Sequence, residues 1–290
     1  MQDDAANLTI GSCEQIELAD LHAGFCRTFS DYSVAMQPTI GEFSLMLTQR
    51  GFDKTLSWAA LCGRSVVSFW LAGTNQVSQG TNAYVIATGT APDFRGRGLA
   101  AQLHHCMRQQ LAGTGVQTVQ LEVIADNIPA RSLYTKLGFQ PVRELACFDI
   151  APTAVSPVAI GNVRLAACTL ADVLRVAQAC RDWQASWQND DMALARIPAE
   201  LMCIAAQENG EPVAYGILIR PTGTIAQLAV RPDKRRTGIG STVLHAFASI
   251  ATTHTLRVIN ADSRDVGFQA FLVHHGARPD IEQVEMILVQ

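Results

Sequence analysis

One short turn holds the residues whose types and spacing most clearly suggest chemistry. Its members are Arg95, Gly96, Arg97, Gly98, Leu99 and Ala100. Glycine has no Cβ, so the backbone at Gly98 can turn tightly and direct N–H groups at an anion. The helix that we predict from Leu99 would aim its positive dipole end at the same point, where the arginines add charge. The turn therefore predicts a site for a phosphate or pyrophosphate group.

The same pattern recurs in the second half of the chain, where Gly238 takes the place of Gly98. The second turn contains Arg235, Arg236, Gly238, Ile239 and Gly240. A Pro-Asp pair precedes both turns, and each turn falls between a predicted strand and a predicted helix. Self-similarity at a fixed distance indicates a duplicated structural unit. We therefore predict two copies of one domain, each with its own anion-binding turn.

A dinucleotide-binding fold is an alternative for the first turn. Gly96, Gly98 and Ala101 match the G-x-G-x-x-A fingerprint, and Glu122 lies about 20 residues later, as that fold requires. However, Arg236 stands at the first glycine position of the second copy, so the fingerprint is not repeated. The fingerprint also follows its strand directly, whereas here residues 92–95 intervene. These differences argue against a nicotinamide-dependent dehydrogenase.

The composition is that of a globular protein with about two domains. The chain has 290 residues, of which 48% are hydrophobic and 17% charged. These proportions exclude a disordered tail protein, which would be charge-rich. The net charge of −4 argues against a general nucleic-acid binder.

Several features favour a cytoplasmic protein. The amino terminus, residues 1–4, is acidic and has no apolar segment typical of a secretory signal. No run of about 18 apolar residues predicts a membrane-spanning helix. The eight cysteines include no Cys-x-x-Cys pair, so we expect reduced thiols. The pairs His104-His105 and His274-His275 are adjacent on predicted helices and point in different directions, so we expect no metal site.

Hydrophobic periodicity predicts a mixed α+β fold in each copy. In the first copy it predicts helices at 20–29, 39–50, 99–111 and 129–137, and strands at 57–62, 65–72, 83–90, 116–124 and 142–150. In the second it predicts helices at 170–182, 239–251 and 264–274, and strands at 201–207, 212–219, 224–230, 255–260 and 281–289. Prolines and small residues predict an extended linker at 151–159, between domains at 1–150 and 160–290.

Three motifs of the first copy together resemble the GNAT (GCN5-related) N-acetyltransferase superfamily. They are Arg95-x-x-Gly98-x-Ala100, Leu121-Glu122-Val123 with Asn127, and Leu133-Tyr134 with Leu137-Gly138-Phe139. The second copy matches through Arg235-x-x-Gly238-x-Gly240, Asn260 and Gly276. The resemblance covers about residues 80–145 and, less closely, 224–278. Both copies are therefore identified as members of this superfamily.

The resemblance implies a central, mostly antiparallel sheet that splays to admit acetyl-CoA. It places the pyrophosphate of the donor on each turn and the pantetheine beside the preceding strand. The implied donor-binding residues outside the turns are Thr88, Thr90, Asn127, Leu228 and Val230. Backbone N–H groups of that strand would polarise the thioester carbonyl.

The resemblance also assigns proton-transfer roles in the first copy. The segment is similar to ribosomal-protein alanine N-acetyltransferases, in which a Glu and a Tyr at these positions act as general base and general acid. These residues correspond to Glu122 and Tyr134. The implied reaction is direct attack of a primary amine on acetyl-CoA in a ternary complex. The acceptor would be a small molecule or a peptide, and the variable Asp31-Tyr32 segment could help to select it.

The second copy departs from the pattern at the reactive positions. Aligned by eye, Arg257 stands opposite Glu122, and Leu272 stands opposite Tyr134. Arginine cannot act as a base near neutral pH, and leucine has no proton to donate. We therefore expect catalysis in the first copy, and acyl-CoA binding or a purely structural role in the second. Two alternatives stay open: a non-catalytic acyl-CoA-binding scaffold, and catalysis in the C-terminal copy.

Overall fold

The computed structural model describes residues 8–32, 36–77, 80–158 and 161–290. The acidic residues at the amino terminus lie outside this range, as do residues 159 and 160, where the predicted linker ends and the second domain begins. The chain forms two compact units, each discontinuous in sequence. Unit 1 comprises Met1–Val123, Asn127–Val142 and Glu285–Gln290; unit 2 comprises Ile124–Asp126 and Arg143–Val284.

Unit 1 is built on a mostly antiparallel sheet. Its strands are β1 (Leu8–Ser12), β2 (Trp58–Cys62), β3 (Ser65–Val77), β4 (Gly80–Thr90) and β5 (Val116–Ile124). The first four pair antiparallel in sequence order, and β5 runs parallel to β4. The helices are α1 (Leu18–Thr28), α2 (Ile40–Gln49), α3 (Leu99–Leu111) and α4 (Ile128–Lys136).

Unit 2 repeats this arrangement. Its strands are β6 (Gln140–Ile150), β7 (Val163–Cys168), β8 (Leu201–Glu208), β9 (Glu211–Ile219), β10 (Thr224–Val230), β11 (Leu256–Asp262) and β12 (Arg278–Val289). Strands β7 to β10 pair antiparallel, β11 runs parallel to β10, and β6 runs antiparallel to β11. The helices are α5 (Leu170–Cys180), α6 (Asp191–Ala195), α7 (Ile239–Ile250) and α8 (Val266–His274). The predicted mixed fold with a mostly antiparallel sheet is confirmed.

The closing strands of the two copies are exchanged between the units. Strand β6 follows the last helix of the first copy, yet its residues from Arg143 onward belong to unit 2. Conversely, β12 follows the last helix of the second copy, and its residues from Glu285 onward belong to unit 1. This exchange is not visible in the repeat pattern, because both strands have similar length and hydrophobicity.

Each sheet opens beside its parallel pair of strands. In unit 1 the pairing of β4 with β5 ends at Tyr84 and Gln120, although β4 continues to Thr90. A register shift in β4 leaves Ile86 as an extra residue, and β10 has the same shift at the equivalent residue, Ala226. Such a bulge bends a strand and interrupts its ladder. The bulges explain how both sheets splay at equivalent points.

The segment predicted as an extended linker is packed where the structure describes it. Pro152–Ala154 forms a 3-10 turn, and Val155 is buried in the core of unit 2. The domain boundaries at 150 and 160 stay a prediction. Strands β1 and β7 and the short helix α6 were not predicted; all three are short, which weakens any periodicity signal.

Candidate functional site

Both predicted turns place a left-handed residue immediately before a helix. Gly98 has φ 74° and is the N-cap of α3, and Gly238 has φ 88° and is the N-cap of α7. Gly96 is also left-handed, with φ 75°. A Cβ on Gly96 would meet no atom within 4 Å, so conformation rather than space requires glycine there. The first N–H groups of each helix have no intrahelical acceptor and face the turn.

Arg95 is held by its own unit. Its guanidinium forms two hydrogen bonds with Asp31, both 2.7 Å, and Nε donates to the backbone oxygen of Thr90 at 3.1 Å. Arg97 lies over the ring of Phe94, 4.8 Å from its centroid. Arg95 therefore fastens the turn to the end of β4, and the anion would be met chiefly by backbone N–H groups.

The second turn repeats the contacts of Arg95. Arg235 Nε donates to the backbone oxygen of Val230 at 2.9 Å, and its guanidinium pairs with Asp182 at 2.8 Å. Arg236, which replaces the first glycine, keeps the left-handed conformation with φ 65°. A non-glycine residue rarely adopts this region, so the turn retains its shape against a conformational cost.

A cavity of about 610 Å³ opens beside the turn of unit 2. The predicted donor-binding residues that line it are Leu228, Val230, Arg235, Arg236, Gly238 and Gly240. Ile239 is buried instead, and is not among the lining residues. Arg181, Tyr215 and Gln227 also line the cavity and form a hydrogen-bonded cluster. The cavity is thus bordered by the turn and by a polar cluster.

Glu122 is a half-buried carboxylate beside the point where β4 and β5 part. The Tyr84 hydroxyl donates a short hydrogen bond to its Oε2, and Gln120 Nε2 donates to Oε1 at 3.3 Å. Burial raises the pKa of Glu122 to about 7; the Tyr84 hydrogen bond and the Arg50 cation oppose the rise, and Glu285 adds to it. Near neutral pH this group can therefore both accept and release a proton.

Tyr134 lies on α4 in the same unit. Its ring packs against Trp70 and Phe139, with centroid distances of 6.0 and 5.9 Å. Burial raises the pKa of Tyr134 to about 12, and the neighbouring Thr88 hydroxyl opposes the rise. Thr88 Oγ1 is buried without a hydrogen bond of normal geometry to any described group. Thr90, by contrast, shares a 2.8 Å hydrogen bond with Ser68.

Asn127 takes a structural position. Its Oδ1 caps α4 by accepting from the Ala130 N–H at 3.1 Å, and its Nδ2 donates to the Tyr32 hydroxyl at 2.9 Å. Unit 2 has the same bridge, in which Trp183 Nε1 donates at 3.0 Å to Asp265, the cap of α8. In each unit, the aromatic residue directly follows the aspartate that pairs with the arginine of the turn. In each unit, one Asp-aromatic dipeptide therefore holds two elements: its aspartate pairs with the arginine of the turn, and its aromatic residue bonds to the cap of the last helix.

The structure corrects two residues of the sequence comparison. Asp265, the cap of α8, and not Asn260 occupies the position of Asn127, the cap of α4. The strand register gives the other correction. Tyr84 pairs with Gln120, and Thr224, the equivalent of Tyr84 in the second copy, pairs with Arg257. Arg257 therefore corresponds to Gln120 and not to Glu122. A shift in strand β11 hides this correspondence from simple alignment.

Counting from that pair, Ile259 occupies the position of Glu122, and it lines the cavity of unit 2. Leu272 occupies the position of Tyr134, as predicted. The backbone oxygen of Tyr134 accepts a hydrogen bond from the Phe139 N–H at 3.0 Å. In the same way, the backbone oxygen of Leu272 accepts from the Ala277 N–H at 3.0 Å. Unit 2 therefore has apolar side chains at the positions of Glu122 and Tyr134.

Tyr84 and Glu285 belong to the Glu122 cluster but were missed in the sequence. Tyr84 is far from Glu122 in the chain, and the two meet only because β4 and β5 run parallel. Glu285 lies on the exchanged end of β12. Alternation along β4 could have suggested Tyr84, whereas no local pattern points to Glu285.

The histidine pairs are partly buried. His104 lies between Trp70 and Phe139, and His275 accepts or donates a 2.8 Å hydrogen bond with Ser241. Among the described residues, no cluster of three or more His, Cys, Asp or Glu side chains is placed to hold a metal ion. None of the helices in the described segments is long and apolar enough to cross a membrane.

Known proteins resemble this chain in sequence and fold. A mycothiol acetyltransferase from Brachybacterium faecium is 30% identical over 115 residues, which are 39% of this chain and 35% of that protein. The chain spans about a third to a half of the length of the curated relatives it matches.

Two solved structures share the fold over nearly the whole chain. A tandem GNAT protein from the clavulanic acid biosynthesis pathway has a TM-score of 0.74 at 14% identity, covering 97% of this chain and 98% of that one. A GCN5-related N-acetyltransferase from Sphaerobacter thermophilus has a TM-score of 0.73 at 15% identity, covering 98% and 96%.

The acetyltransferase (GNAT) family matches residues 23–139 and 170–271, one stretch in each copy. These stretches make up well over half of the chain, and each contains one of the two turns. The chain belongs to the acetyltransferase (GNAT) family.

Proposed function

We propose that the first copy catalyses transfer of an acetyl group from acetyl-CoA to a primary amine, by direct attack in a ternary complex. The observation that carries the proposal is the half-buried carboxylate of Glu122, which Tyr84 and Gln120 hold by hydrogen bonds where the sheet opens, and whose pKa is raised to about 7. Tyr134 supplies a second proton-transfer group in the same unit. The absence of both groups from the equivalent positions of unit 2 supports this choice of copy.

Glu122 would act as the general base. The acceptor reaches the site as an ammonium ion and must lose a proton before its nitrogen can attack the thioester carbonyl. A base with a pKa near 7 is substantially ionised at neutral pH and still basic enough to help. The hydrogen bonds from Tyr84 and Gln120 fix both carboxylate oxygens, which orients the free lone pairs.

Tyr134 would act as the general acid. When the amide bond forms and the thioester C–S bond breaks, the departing thiolate benefits from a proton. Because the pKa of Tyr134 is raised to about 12, its hydroxyl stays protonated throughout the working pH range. The hydroxyl of Thr88 on β4 lies beside it, so both could contact the same part of the donor.

The turn of Arg95–Ala100 would hold the pyrophosphate of acetyl-CoA. The N-terminal N–H groups of α3 and the left-handed glycines offer a concave set of donors. Arg95 would keep the turn in place through Thr90 and Asp31, while Arg97 contributes charge at the rim.

The second copy favours a different role. Its 610 Å³ cavity has the same turn, but Ile259 and Leu272 cannot transfer protons. We propose that this copy binds acyl-CoA without transferring the acyl group. The alternative, catalysis in the second copy, would need other groups of the cavity, and Tyr215 is already engaged with Arg181 at 2.6 Å.

The acceptor is proposed at the level of a small primary amine. The curated relatives are named for mycothiol, so amines related to mycothiol form the first class to test. None of the eight cysteines forms a disulfide bond, which is consistent with a reducing compartment such as the cytoplasm.

Two measurements test the proposal. Calorimetry with acetyl-CoA should detect binding, and a panel of primary amines should include at least one that accelerates release of the CoA thiol. Glu122→Gln should abolish the acceleration while it leaves acetyl-CoA binding intact; Ile259→Ala is the matched control in the other copy. Absence of acetyl-CoA binding, or undiminished turnover by Glu122→Gln, would contradict the proposal.

A further inference from the structure

The last six residues of the chain are built into unit 1. Gln290 N donates to the backbone oxygen of Gln117 on β5 at 3.0 Å. Leu288 Cδ1 lies 3.2 Å from the position a Cβ would take on Gly138, which follows the helix that carries Tyr134. The end of β12 therefore contacts both segments that hold the proposed catalytic residues.

Glu285 is the charged residue of this exchanged segment. Its side chain is buried, and the residue is 6% exposed, between Val284 and Met286, which are 7% and 3% exposed. A carboxylate is seldom buried without a specific role, because its desolvation is costly. The hydrogen bonds from Gln290 N to the Gln117 oxygen and from Ala125 N to the Glu282 oxygen set an antiparallel register between β5 and β12, in which Glu285 lies opposite Glu122. Its charge therefore acts on Glu122 and on the Tyr84 hydroxyl that donates to Glu122.

We propose that Glu285 is a positioning residue of the first-copy site, and that the negative charge of its carboxylate makes Glu122 a stronger base toward the ammonium group of the acceptor. Its kinetic consequence rests on the proposed function of Glu122. The proposal also gives the strand exchange a purpose, since a residue from the end of the second copy completes the site of the first.

The charges around Glu122 show why Glu285 matters. Tyr84 on β4 and Gln120 on β5 contribute hydrogen bonds, and Arg50 at the end of α2 contributes one cation. The cluster thus contains two carboxylates, those of Glu122 and Glu285, and one cation. Since like charges oppose simultaneous ionisation, the negative charge of Glu285 favours the protonated form of Glu122.

The first experiment compares pH profiles of kcat/KM. Replacing Glu285 with Gln keeps its shape and removes its charge, so Glu122 should ionise at lower pH. We expect the ratio of kcat/KM at pH 6 to that at pH 8 to rise about threefold over the wild type, which is half a pH unit of displacement. Glu285→Asp should stay near the wild-type profile. Glu282→Gln removes the same charge from an exposed position on β12 and should leave the profile unchanged.

The second experiment does not depend on activity. Infrared difference spectra during acid titration should show a buried carboxyl band that is absent from Glu122→Gln. In Glu285→Gln the midpoint of that band should move to lower pH. Glu285→Met has a similar volume without charge, and gives the same test if the Gln variant fails to fold.

Coincident titration midpoints in the wild type and a folded Glu285 variant would overturn the proposal. An equal displacement in Glu282→Gln would also overturn it, because the effect would then follow net charge. If the band shifts as expected but Glu122→Gln turns over normally, the inference about Glu285 stands and the proposed function fails.

Discussion

The two copies keep the same binding framework and differ in the groups that could move protons. Arg95 and Arg235 contact equivalent backbone oxygens and equivalent aspartates, although different helices follow the two turns. Both sheets carry a bulge at equivalent positions. The framework that shapes the turn beside an opened sheet is therefore independent of the residues at the positions of Glu122 and Tyr134.

The reactive positions have diverged to apolar side chains in the second copy. Ile259 stands where the first copy has Glu122, and Leu272 where it has Tyr134, with matching backbone geometry. Burying an isoleucine there is favourable, whereas burying Glu122 costs desolvation and raises its pKa. Only the first copy has an ionisable group at this position, and only there does desolvation of that group cost free energy, as expected where the group has a function.

The largest expected effect comes from Glu122. Glu122→Gln removes the base but keeps the side-chain volume, and should lower kcat by about 10³-fold. Steady-state kinetics with acetyl-CoA and an accepted amine provide the measurement. Ile259→Ala, at the equivalent position, should alter kcat less than about twofold. A reversed order of effects would place catalysis in the second copy.

Tyr134 should have the next largest effect. Tyr134→Phe removes only the hydroxyl, so packing against Trp70 and Phe139 is retained while kcat falls by about 10²-fold. Affinity for acetyl-CoA, measured by calorimetry, should change little. Leu272→Met is the control, and it should leave both quantities near wild type. Equal losses in affinity and kcat would indicate that Tyr134 binds the donor and does not protonate it.

Much of the fold could be predicted because its signals are local. Helix α3 at Leu99–Leu111 and strand β5 at Val116–Ile124 have the predicted bounds, since each has clear periodicity and a turn at both ends. The exchange of β6 and β12 could not be predicted. Two strands of similar pattern can pair with either sheet, and only tertiary packing decides between them.

The candidate site was predictable where one motif carries it, and not where distant segments meet. The turn and the pair Glu122 and Tyr134 all lie in one short stretch of sequence, from Arg95 to Tyr134. The partners of Glu122 come from strands far apart in the chain. The sequence alignment placed Arg257 opposite Glu122 in error. The bulge in β11 could not be seen in the sequence, because an inserted residue leaves no mark in composition. Trp183 lies beyond the end of α5 and donates a hydrogen bond to the cap of α8.

Stability should depend on pH through Glu122 in one copy only. Its folded pKa of about 7 lies above the ordinary value of 4.5, so between these values the folded state holds a proton that the unfolded state has lost. Stability from this group therefore falls as pH rises from 4.5 to 7, by about 1–3 kcal/mol as an order of magnitude.

The Glu122→Gln variant should not lose stability as the pH rises in this range, because glutamine does not ionise. Its free energy of unfolding, measured by urea titration, should exceed that of the wild type at pH 8, and the difference should shrink toward pH 5. Ile259→Ala should be destabilised equally at both pH values, because no ionisable group changes. A Glu122→Gln variant that is less stable than the wild type at pH 8 would contradict the raised pKa.

The smallest expected effect tests whether the two turns are equivalent. Arg95 and Asp31 are each about half exposed, so their ion pair should contribute only about 0.2–1 kcal/mol. The hydrogen bond to the Thr90 backbone fastens the turn itself. Arg95→Ala should therefore raise KM for acetyl-CoA about fivefold with kcat nearly unchanged, and Asp31→Asn should raise it less than about twofold.

The equivalent change in unit 2 should affect binding alone. Arg235→Ala should weaken acetyl-CoA binding to the second cavity by a similar factor, seen by calorimetry as loss of one of two binding events, and leave kcat unchanged. Lysine should not rescue either position, because it cannot reach the aspartate and the strand oxygen together with the planar geometry that arginine provides. If Asp31→Asn raises KM as much as Arg95→Ala, the ion pair holds the turn and the contact with Thr90 is secondary. If Arg235→Ala lowers kcat, the second turn serves the reaction, and the division between a catalytic and a binding copy must be abandoned.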